Sequence, residues 1–354
     1  MFIENIKLEN FRNYEKQEIE FDKNINIIYG DNAQGKTNIL EAIFICSLGK
    51  SFRTNRDKEL INKEKEYSKI EMISSKEDRE VKINFEIQEK KKFFINGIQT
   101  KKTSEILGKN YIVLFTPEDI NILKNEPSKR RRFLNIMISQ LRPIYVHMLN
   151  EYNKLIEQRN TYLKQIKYEG KKEENLDIWD EQIANLGTKI YNYRKEFIEK
   201  INEKIKEIHL KTTENKEQTE IKYISNTEKD YLEKMKKNRK IDIQKGYTSI
   251  GIHRDDFEIY INKNSVSIYG SQGQKRTTLI SLKLAEAEVI NEEIGERPVI
   301  LLDDFMSELD KKRIQGLFEN IKENQVIITC TDSFKINNSK YKLYKVKNAN
   351  VETI

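Results

Sequence analysis

The stretch YGDNAQGKTN, residues 29 to 38, constrains the fold of this chain more than any other feature of its sequence. It contains Gly30-x-x-x-x-Gly35-Lys36-Thr37, with an apolar run before it and an apolar, helix-like run after it. A strand, a glycine-containing loop and a helix in this order direct backbone N–H groups and the positive end of the helix at a phosphate. The spacing therefore predicts an α/β fold that binds a nucleoside triphosphate at this loop.

The residues of this phosphate loop are expected to share the binding of the nucleotide. Lys36 reaches the β- and γ-phosphates, and the Thr37 hydroxyl is a ligand of Mg²⁺. The other contacts come from the rest of the loop, which is Gly30, Asp31, Asn32, Ala33, Gln34 and Gly35. The helix that follows carries Ile39, Leu40, Ile43 and Leu48 on one face, and its positive N-terminal end is expected to point at the phosphate.

A second motif, PVILLDDFMSELD at residues 298 to 310, joins an apolar run to Asp303 and Asp304. Such a run is typical of a strand that is buried on both faces of a parallel sheet, and ligands bind beyond the carboxyl ends of these strands. We expect Asp303 to hold Mg²⁺ and Asp304 to orient or deprotonate the attacking water, which makes the pair catalytic. Capping of the next helix is the alternative role for the two acids.

The stretch SQGQKRTTL, residues 271 to 279, is a second predicted anion-binding turn. Ser271 can cap the apolar helix that follows, and Gly273 leaves the backbone free to form a nest of N–H groups. The phosphate loop already accounts for the nucleotide of this chain. A second nest around the same nucleotide would therefore have to come from another molecule.

The pattern of the chain separates three segments. Residues 1–125 contain predicted strands at 19–22, 24–29 and 81–87, and a hairpin turn at Asn96-Gly97. Residues 126–245 are predicted to be long charged helices with narrow apolar stripes at 148–166 and 186–201, joined near 169–175 into a short antiparallel hairpin. Strand patterns return in 246–354. This organisation predicts an α/β domain built from two sequence-distant halves, with a helical arm domain inserted between them.

The order of these motifs resembles that of ABC-type ATPase heads. The phosphate loop comes first, then SQGQ, then the apolar strand with two acids, and then Ser307 to Asp310. The resemblance implies that ATP is the nucleotide and that it joins two copies of the chain in an ATP-dependent homodimer. It further implies that Ser271, Gln272, Gly273 and Gln274 contact the nucleotide of the partner copy, and that residues 307–310 lie at the dimer seam.

Further segments resemble the RecF family, in the SMC-like branch of these ATPases. They are NFRNY at residues 10–14, SFRT at 51–54, GIHRDDF at 251–257 and SQGQKRT at 271–277. The resemblance covers residues 1 to about 333 and implies a DNA-binding protein of replication, recombinational repair and the SOS response. Its ATP-driven dimer would clamp DNA at single-strand gaps or junctions, and slow hydrolysis would release it. RecR and RecO would be partners, and RecA loading would be the outcome.

The same resemblance suggests roles for residues outside the main motifs. Arg12 and Asn13 would contact the nucleotide bound to their own chain, and Arg53 would contact a phosphate or DNA. Thr329 or Thr331 stands where transporter ATPases carry a histidine, which agrees with a weak ATPase that works as a switch. The loop at 115–119 lacks the glutamine expected between the two nucleotide motifs.

The charge of the chain is compatible with a nucleic acid partner. Lys and Arg number 64 against 57 Asp and Glu, a net charge of +7, although a general richness in Lys, Ile, Asn and Glu is the simpler explanation of such an excess. A local cluster is more specific, because clustered cations neutralise phosphates of double-stranded or junction DNA without reading its sequence. Its members are Lys129, Arg130, Arg131 and Arg132, followed by Arg142, Lys154, Arg159, Lys164 and Lys167.

Three other function classes compete with a DNA-bound ATPase. A transporter motor would need a membrane partner and usually the histidine, a structural SMC-like tether would need a longer arm, and a small-molecule kinase would not need SQGQ. No run reaches the roughly 20 apolar residues of a membrane span, and no signal peptide pattern begins the chain. Cys46 and Cys330 lie in apolar runs. Buried free thiols, a cytoplasmic location and no membrane association are therefore expected.

Overall fold

The computed structural model describes residues 1–76, 79–333 and 340–354. The side chains of Ser307 and Glu308, which the resemblance assigns to a dimer seam, lie outside this description. In the described part the strands are β1 (Phe2–Phe11), β2 (Tyr14–Glu20), β3 (Ile25–Tyr29), β4 (Ser68–Lys76), β5 (Arg79–Ile87), β6 (Lys91–Ile95), β7 (Ile98–Gln99), β8 (Ile112–Phe115), β9 (Thr219–Ile224), β10 (Asp256–Ile261), β11 (Asn264–Ser265), β12 (Val299–Asp303), β13 (Val326–Cys330), β14 (Tyr341–Lys347) and β15 (Asn350–Thr353). The α-helices of the same part are α1 (Lys36–Leu48), α2 (Pro127–Leu141), α3 (Pro143–Glu169), α4 (Leu176–Thr212), α5 (Tyr231–Lys237), α6 (Arg239–Lys245), α7 (Val266–Tyr269), α8 (Gln272–Ile294) and α9 (Lys311–Ile321).

The chain folds into two compact units. The first unit combines Met1–Ile120 with Arg276–Ile354, and the second is Asn121–Lys275. The two ends of the sequence therefore fold together, as predicted for an α/β domain with an inserted segment. The domain boundaries at 125 and 245 stay predictions.

The first unit contains a mainly parallel sheet in the order β15-β14-β3-β13-β12-β8. Among the described strands of this sheet, only the β14–β15 pair is antiparallel. Every residue of β12 and β13 is buried, as the apolar runs predict. Because β13 lies between β3 and β12, the segments that follow β3 and β12 lie at the same edge of the sheet.

An antiparallel sheet in the order β2-β1-β4-β5-β6-β7 completes the first unit. Its predicted turn at Asn96-Gly97 is confirmed, with φ angles of 49° and 82° at the two residues. Helix α1 packs against strands of both sheets, β4 and β5 on one side and β12 and β13 on the other. It is therefore buried nearly all round, and the apolar face that carries Ile39, Leu40, Ile43 and Leu48 is part of that buried surface.

Helices α3 and α4 of the second unit form the predicted hairpin, with 27 and 37 residues respectively. They pack against each other along their buried stripes. A three-stranded antiparallel sheet, β11-β10-β9, lies in the same unit, and β9 packs against α4. Strand β9 falls in a segment for which the sequence predicts helices. The strand was missed because its alternation of buried and exposed residues is only six residues long.

Buried ion pairs hold the second unit together. Arg159 is fully buried and donates to Asp180 at 2.6 Å and to Asp242 at 2.8 Å. Arg194 is buried as well and pairs with Asp255 at 3.3 Å. A buried cation without such partners would be strongly destabilising. Arg159 is therefore an interior residue of the arm, and its prediction as a DNA contact is wrong.

Two compositional predictions can be compared with the described residues. Cys46 and Cys330 are free and buried, which confirms the predicted thiols. Among the helices of the described ranges, none combines the length and the apolar character needed to cross a membrane.

Candidate functional site

The phosphate loop adopts a backbone that only particular residues tolerate. Gly30 and Gly35 have φ angles of 153° and 113°, and Ala33 between them has 65°. A Cβ atom at Gly35 would lie 2.7 Å from the Asn13 amide and 2.9 Å from the Tyr14 hydroxyl. Glycine is therefore required at position 35 by both backbone angle and space. Residues 31–33 are exposed at the tip of the loop.

Lys36 lies at the start of α1, and its ammonium group turns back into the loop. Its Nζ donates to the backbone oxygens of Gly30 at 2.7 Å and Asp31 at 2.8 Å. The side chain is almost completely buried. The loop thus surrounds a positive charge whose present acceptors are carbonyl oxygens. A phosphate oxygen would be a stronger acceptor in their place.

The two nucleotide motifs of the first unit meet at Thr37 and Asp303. The Thr37 hydroxyl donates to Asp303 Oδ1 at 2.8 Å, although the residues are far apart in sequence. Burial raises the pKa of Asp303, whereas the hydrogen bonds from Thr37 and Thr329 lower it. A divalent cation between Thr37 and Asp303 would favour the ionised carboxylate.

Thr329 on β13 bonds to both members of the acid pair. Its hydroxyl donates to Asp303 Oδ1 at 2.8 Å and accepts from the Asp304 N–H at 3.0 Å. The Asp304 N–H is also 3.2 Å from the Thr329 carbonyl oxygen. These contacts hold Asp304 at a φ of 48°, an angle that is unfavourable for most residues other than glycine. The only sign of this role of Thr329 in the sequence is a single hydroxyl group within the apolar strand VIITC.

The donor set can be tested against Mg²⁺. Over the ranges that the structure describes, no group of three or more His, Cys, Asp or Glu side chains could hold a metal ion. Mg²⁺ in nucleotide sites usually takes one or two protein ligands and completes its shell with phosphate oxygens and water. The adjacent oxygens of Thr37 and Asp303 fit that pattern.

Glu41 connects the predicted arginines to the phosphate loop, and sequence reasoning missed it. This fully buried carboxylate accepts from Arg12 at 2.9 and 2.7 Å and from Arg53 at 3.4 Å. Arg53 also donates to Asn38 at 2.6 Å. The signal was a lone acid within the apolar run of α1. Arg53 is thereby placed in the network of the phosphate loop.

Asn13 joins the same network to the loop backbone. Its side chain accepts from Asn38 at 2.7 Å and donates to the Gln34 carbonyl oxygen at 3.1 Å. The turn between β1 and β2, which carries Arg12 and Asn13, is therefore fastened to the loop. These contacts bring together the residues that the sequence predicts around one nucleotide.

The signature segment, Ser271 to Gln274, lies in the second unit at the start of α8. The Ser271 N–H donates to Gln274 Oε1 at 2.9 Å, and the Gln274 N–H donates to Ser271 Oγ at 3.1 Å. This reciprocal pair is a capping box. Ser271 and Gln272 are exposed, and Gly273 and Gln274 are half-buried. The N-terminus of a 23-residue helix is thus open to a ligand.

Comparison with known proteins identifies the family. The RecF/RecN/SMC N terminal domain family matches residues 2–353. The chain is 45% identical over 345 residues to the DNA replication and repair protein RecF of Acetivibrio thermocellus, covering 94% of each chain. It is 42% identical over 366 residues to RecF of Clostridium botulinum, covering 100% of both. The chain belongs to the RecF family of DNA replication and repair proteins.

A solved RecF structure agrees with this assignment. The recombination mediator protein RecF-ATP in the RecFOR pathway superposes with a TM-score of 0.92 and is 38% identical. The match covers 100% of this chain and 97% of that one. The predicted ABC-type head with an inserted arm and the predicted family are both confirmed. A transporter motor and a structural tether are not favoured.

In this RecF-family chain, the basic segment at residues 129–132 and the cations that follow it on α3 are only partly exposed. Arg130 is buried and makes two bonds to Asp256, at 2.6 and 2.7 Å. Arg131 is half-buried and donates to the Asp255 carbonyl oxygen at 2.8 Å, and burial lowers its pKa. Because Arg130 is held in the interior of its unit, we leave it out of any DNA-binding surface. The exposed cations of this region are Arg132, Lys154, Lys164 and Lys167.

Proposed function

We propose that this protein binds ATP with Mg²⁺ and uses it to join two copies into a clamp on DNA. The observation that carries the proposal is the contact of Thr37 with Asp303 beside the buried ammonium group of Lys36. These groups supply the cation ligands and the positive charge that a triphosphate needs. The related RecF protein solved with ATP supports the choice of nucleotide.

Each residue of the site would have a separate role in ATP hydrolysis. Lys36 and the N–H groups of the loop would hold the phosphates, while Thr37 and Asp303 would hold Mg²⁺, which neutralises the charge on the phosphates. The carboxylate of Asp304 would orient the attacking water and accept its proton. Thr329 would keep both acids in place. This machinery would act as a weak, DNA-stimulated switch.

The dimer would form through the signature segment. A helix N-terminus with an exposed serine favours an anion, and the nucleotide of the same chain would occupy the phosphate loop. We infer that Ser271, Gln272 and Gly273 contact the γ-phosphate bound to the partner copy. The Gln274 amide is already used within the capping box, so its role would be to support these contacts.

The variant Ser271→Arg tests this arrangement. A long charged side chain at the start of α8 would fill the space that the phosphate requires. We expect ATP binding to stay within about twofold of the wild type, because the phosphate loop lies in the other unit, whereas ATP-dependent dimers disappear. Sedimentation velocity with ATP and gapped DNA measures the amounts of monomer and dimer. Asn264→Arg, at an exposed position of the same unit, is the control. Normal dimers in Ser271→Arg would disprove the arrangement.

We further propose that the exposed cations of α2 and α3 bind duplex and single-strand/duplex junction DNA. Replacing Lys154 and Lys164 with Gln should weaken binding to all sequences alike. Two lost phosphate contacts should reduce the slope of log K against log salt by about 2. Titration of gapped duplex at several salt concentrations measures the slope. Lys206→Gln with Lys237→Gln, at exposed positions outside this region, is the control. An unchanged slope would rule out this surface.

The cellular role follows from the family. The related structure is described as a recombination mediator in the RecFOR pathway. We infer that this chain also works with RecR and RecO in the cytoplasm, and that the DNA-bound dimer marks gaps where RecA is loaded during repair and the SOS response. Non-base-specific contacts suit such a task, because the gap rather than the sequence is recognised.

A further inference from the structure

The side chain of Gln274 makes hydrogen bonds from both ends of its amide. Its Oε1 accepts from the Ser271 N–H, and its Nε2 donates to Glu217 Oε1 at 2.9 Å. Glu217 lies between α4 and β9, far from the signature segment in sequence. The capping box at the start of α8 is therefore connected to another part of the second unit.

Glu217 is itself held in place by contacts with His209 and Thr213. Its Oε2 lies 3.0 Å from Nε2 of His209, a fully buried side chain in the last turn of α4. The Glu217 N–H also donates to the Thr213 hydroxyl at 3.3 Å. Burial lowers the pKa of His209, which favours a neutral ring that donates its Nε2 proton to Glu217. Both oxygens of Glu217 are thus engaged, one by His209 and the other by Gln274.

The charge of Glu217 determines which way the Gln274 amide faces. An ionised carboxylate only accepts hydrogen bonds, so it selects the NH₂ end of the amide. The oxygen end must then point towards the Ser271 N–H, which closes the capping box. Without the carboxylate, the amide could rotate or turn over, and its NH₂ group would then face another donor.

We propose that Glu217 is a positioning residue for the signature segment. Through Gln274, it fixes Ser271 and the first N–H groups of α8 in the arrangement that a phosphate of the partner copy requires. The inference rests on the proposed dimer. It adds that the α4–β9 turn determines how well this half of the ATP site is formed.

Two variants and their combination test the proposal. Glu217→Ala removes the acceptor, and Gln274→Glu places two carboxylates together. Each should weaken ATP-dependent dimerisation about tenfold, as expected when a charge-assisted hydrogen bond is lost. Glu217→Gln combined with Gln274→Glu exchanges the two side chains. It restores an amide–carboxylate pair and an acceptor for the Ser271 N–H, so we expect recovery to within about threefold of the wild type.

The measurements separate positioning from general stability. Dimer dissociation constants by sedimentation in ATP are compared with nucleotide binding to the monomer, which should be unchanged in all variants. Glu220→Ala, a half-exposed acid on β9, is the matched control. Dimerisation at the wild-type level in Glu217→Ala and Gln274→Glu would overturn the proposal. So would failure of the exchange to recover dimers when Gln274→Glu is folded and weakened.

The same experiment distinguishes this inference from the proposed function on which it rests. Ser271→Arg is measured in parallel. If it retains ATP-dependent dimers, the dimer arrangement itself is wrong. If it loses them while Glu217→Ala does not change dimerisation, only the role of Glu217 is wrong.

Discussion

Replacing Lys36 with Ala is expected to reduce ATP affinity by at least about 100-fold. Each hydrogen bond from an ammonium to a phosphate contributes about 1.5–3 kcal/mol, and Lys36 now makes two bonds that phosphate oxygens would replace. The fold should persist, because the present acceptors of Lys36 are carbonyl oxygens of an exposed loop. Isothermal titration with ATP and Mg²⁺ measures the loss.

A matched variant makes this result specific. Lys58→Ala removes an exposed ammonium group in the same unit, outside the phosphate loop, and should leave ATP affinity unchanged. Lys36→Arg should fall between the wild type and Lys36→Ala, because the guanidinium keeps the charge but is larger and differently shaped than the ammonium group. Wild-type affinity in Lys36→Ala would show that the loop does not bind the triphosphate.

Asp304→Asn should slow ATP hydrolysis by at least about 100-fold and cause ATP-bound dimers to accumulate. General-base catalysis contributes about 10²–10⁴ in rate, and an amide cannot accept the proton of water. Asparagine tolerates the left-handed backbone at this position, and the hydrogen bond from the residue 304 N–H to Thr329 does not depend on the side chain. Phosphate release and sedimentation with ATP measure the two effects.

The neighbouring acid provides the contrast for this variant. Asp303→Asn removes the negative charge of the proposed cation ligand, so its main effect should be weaker nucleotide binding in Mg²⁺, with few dimers. Asp332→Asn, at an exposed position after β13, is the control. Asp304→Asn protein that hydrolyses ATP at the wild-type rate, or stays monomeric with ATP, would contradict the assignment of Asp304.

The parts of the site that could be predicted from the sequence are local in the chain. The phosphate loop and the apolar strands are continuous segments in which each residue is interpreted from its neighbours along the chain. Even the proximity of Thr37 to Asp303 follows from local patterns, because Asp303 ends one parallel strand of the sheet and Thr37 follows the loop at the end of another. The Asn96-Gly97 turn is another such case, since its backbone angles are a property of the two residues themselves.

The residues that were missed or wrongly predicted depend on distant partners. Arg130 looked like a DNA contact because it stands in a basic run, yet its partner Asp256 is 126 residues away in sequence. Glu41 looked like an irregularity in an apolar helix, and its role becomes visible only when Arg12 and Arg53 are placed beside it. Burial and pairing of a charge are properties of the packed structure.

The sequence by itself therefore predicted the chemistry that is proposed for this protein: a triphosphate loop, a pair of acids and a helix N-terminus for a second phosphate. Those features depend on residue type and short spacing, which the chain carries before it folds. Only the tertiary structure decided which charges are free to act and which support others. It placed Arg130 in the interior, and it made Glu217 a support for the signature segment, because a side chain is committed to partners only when the chain brings them together.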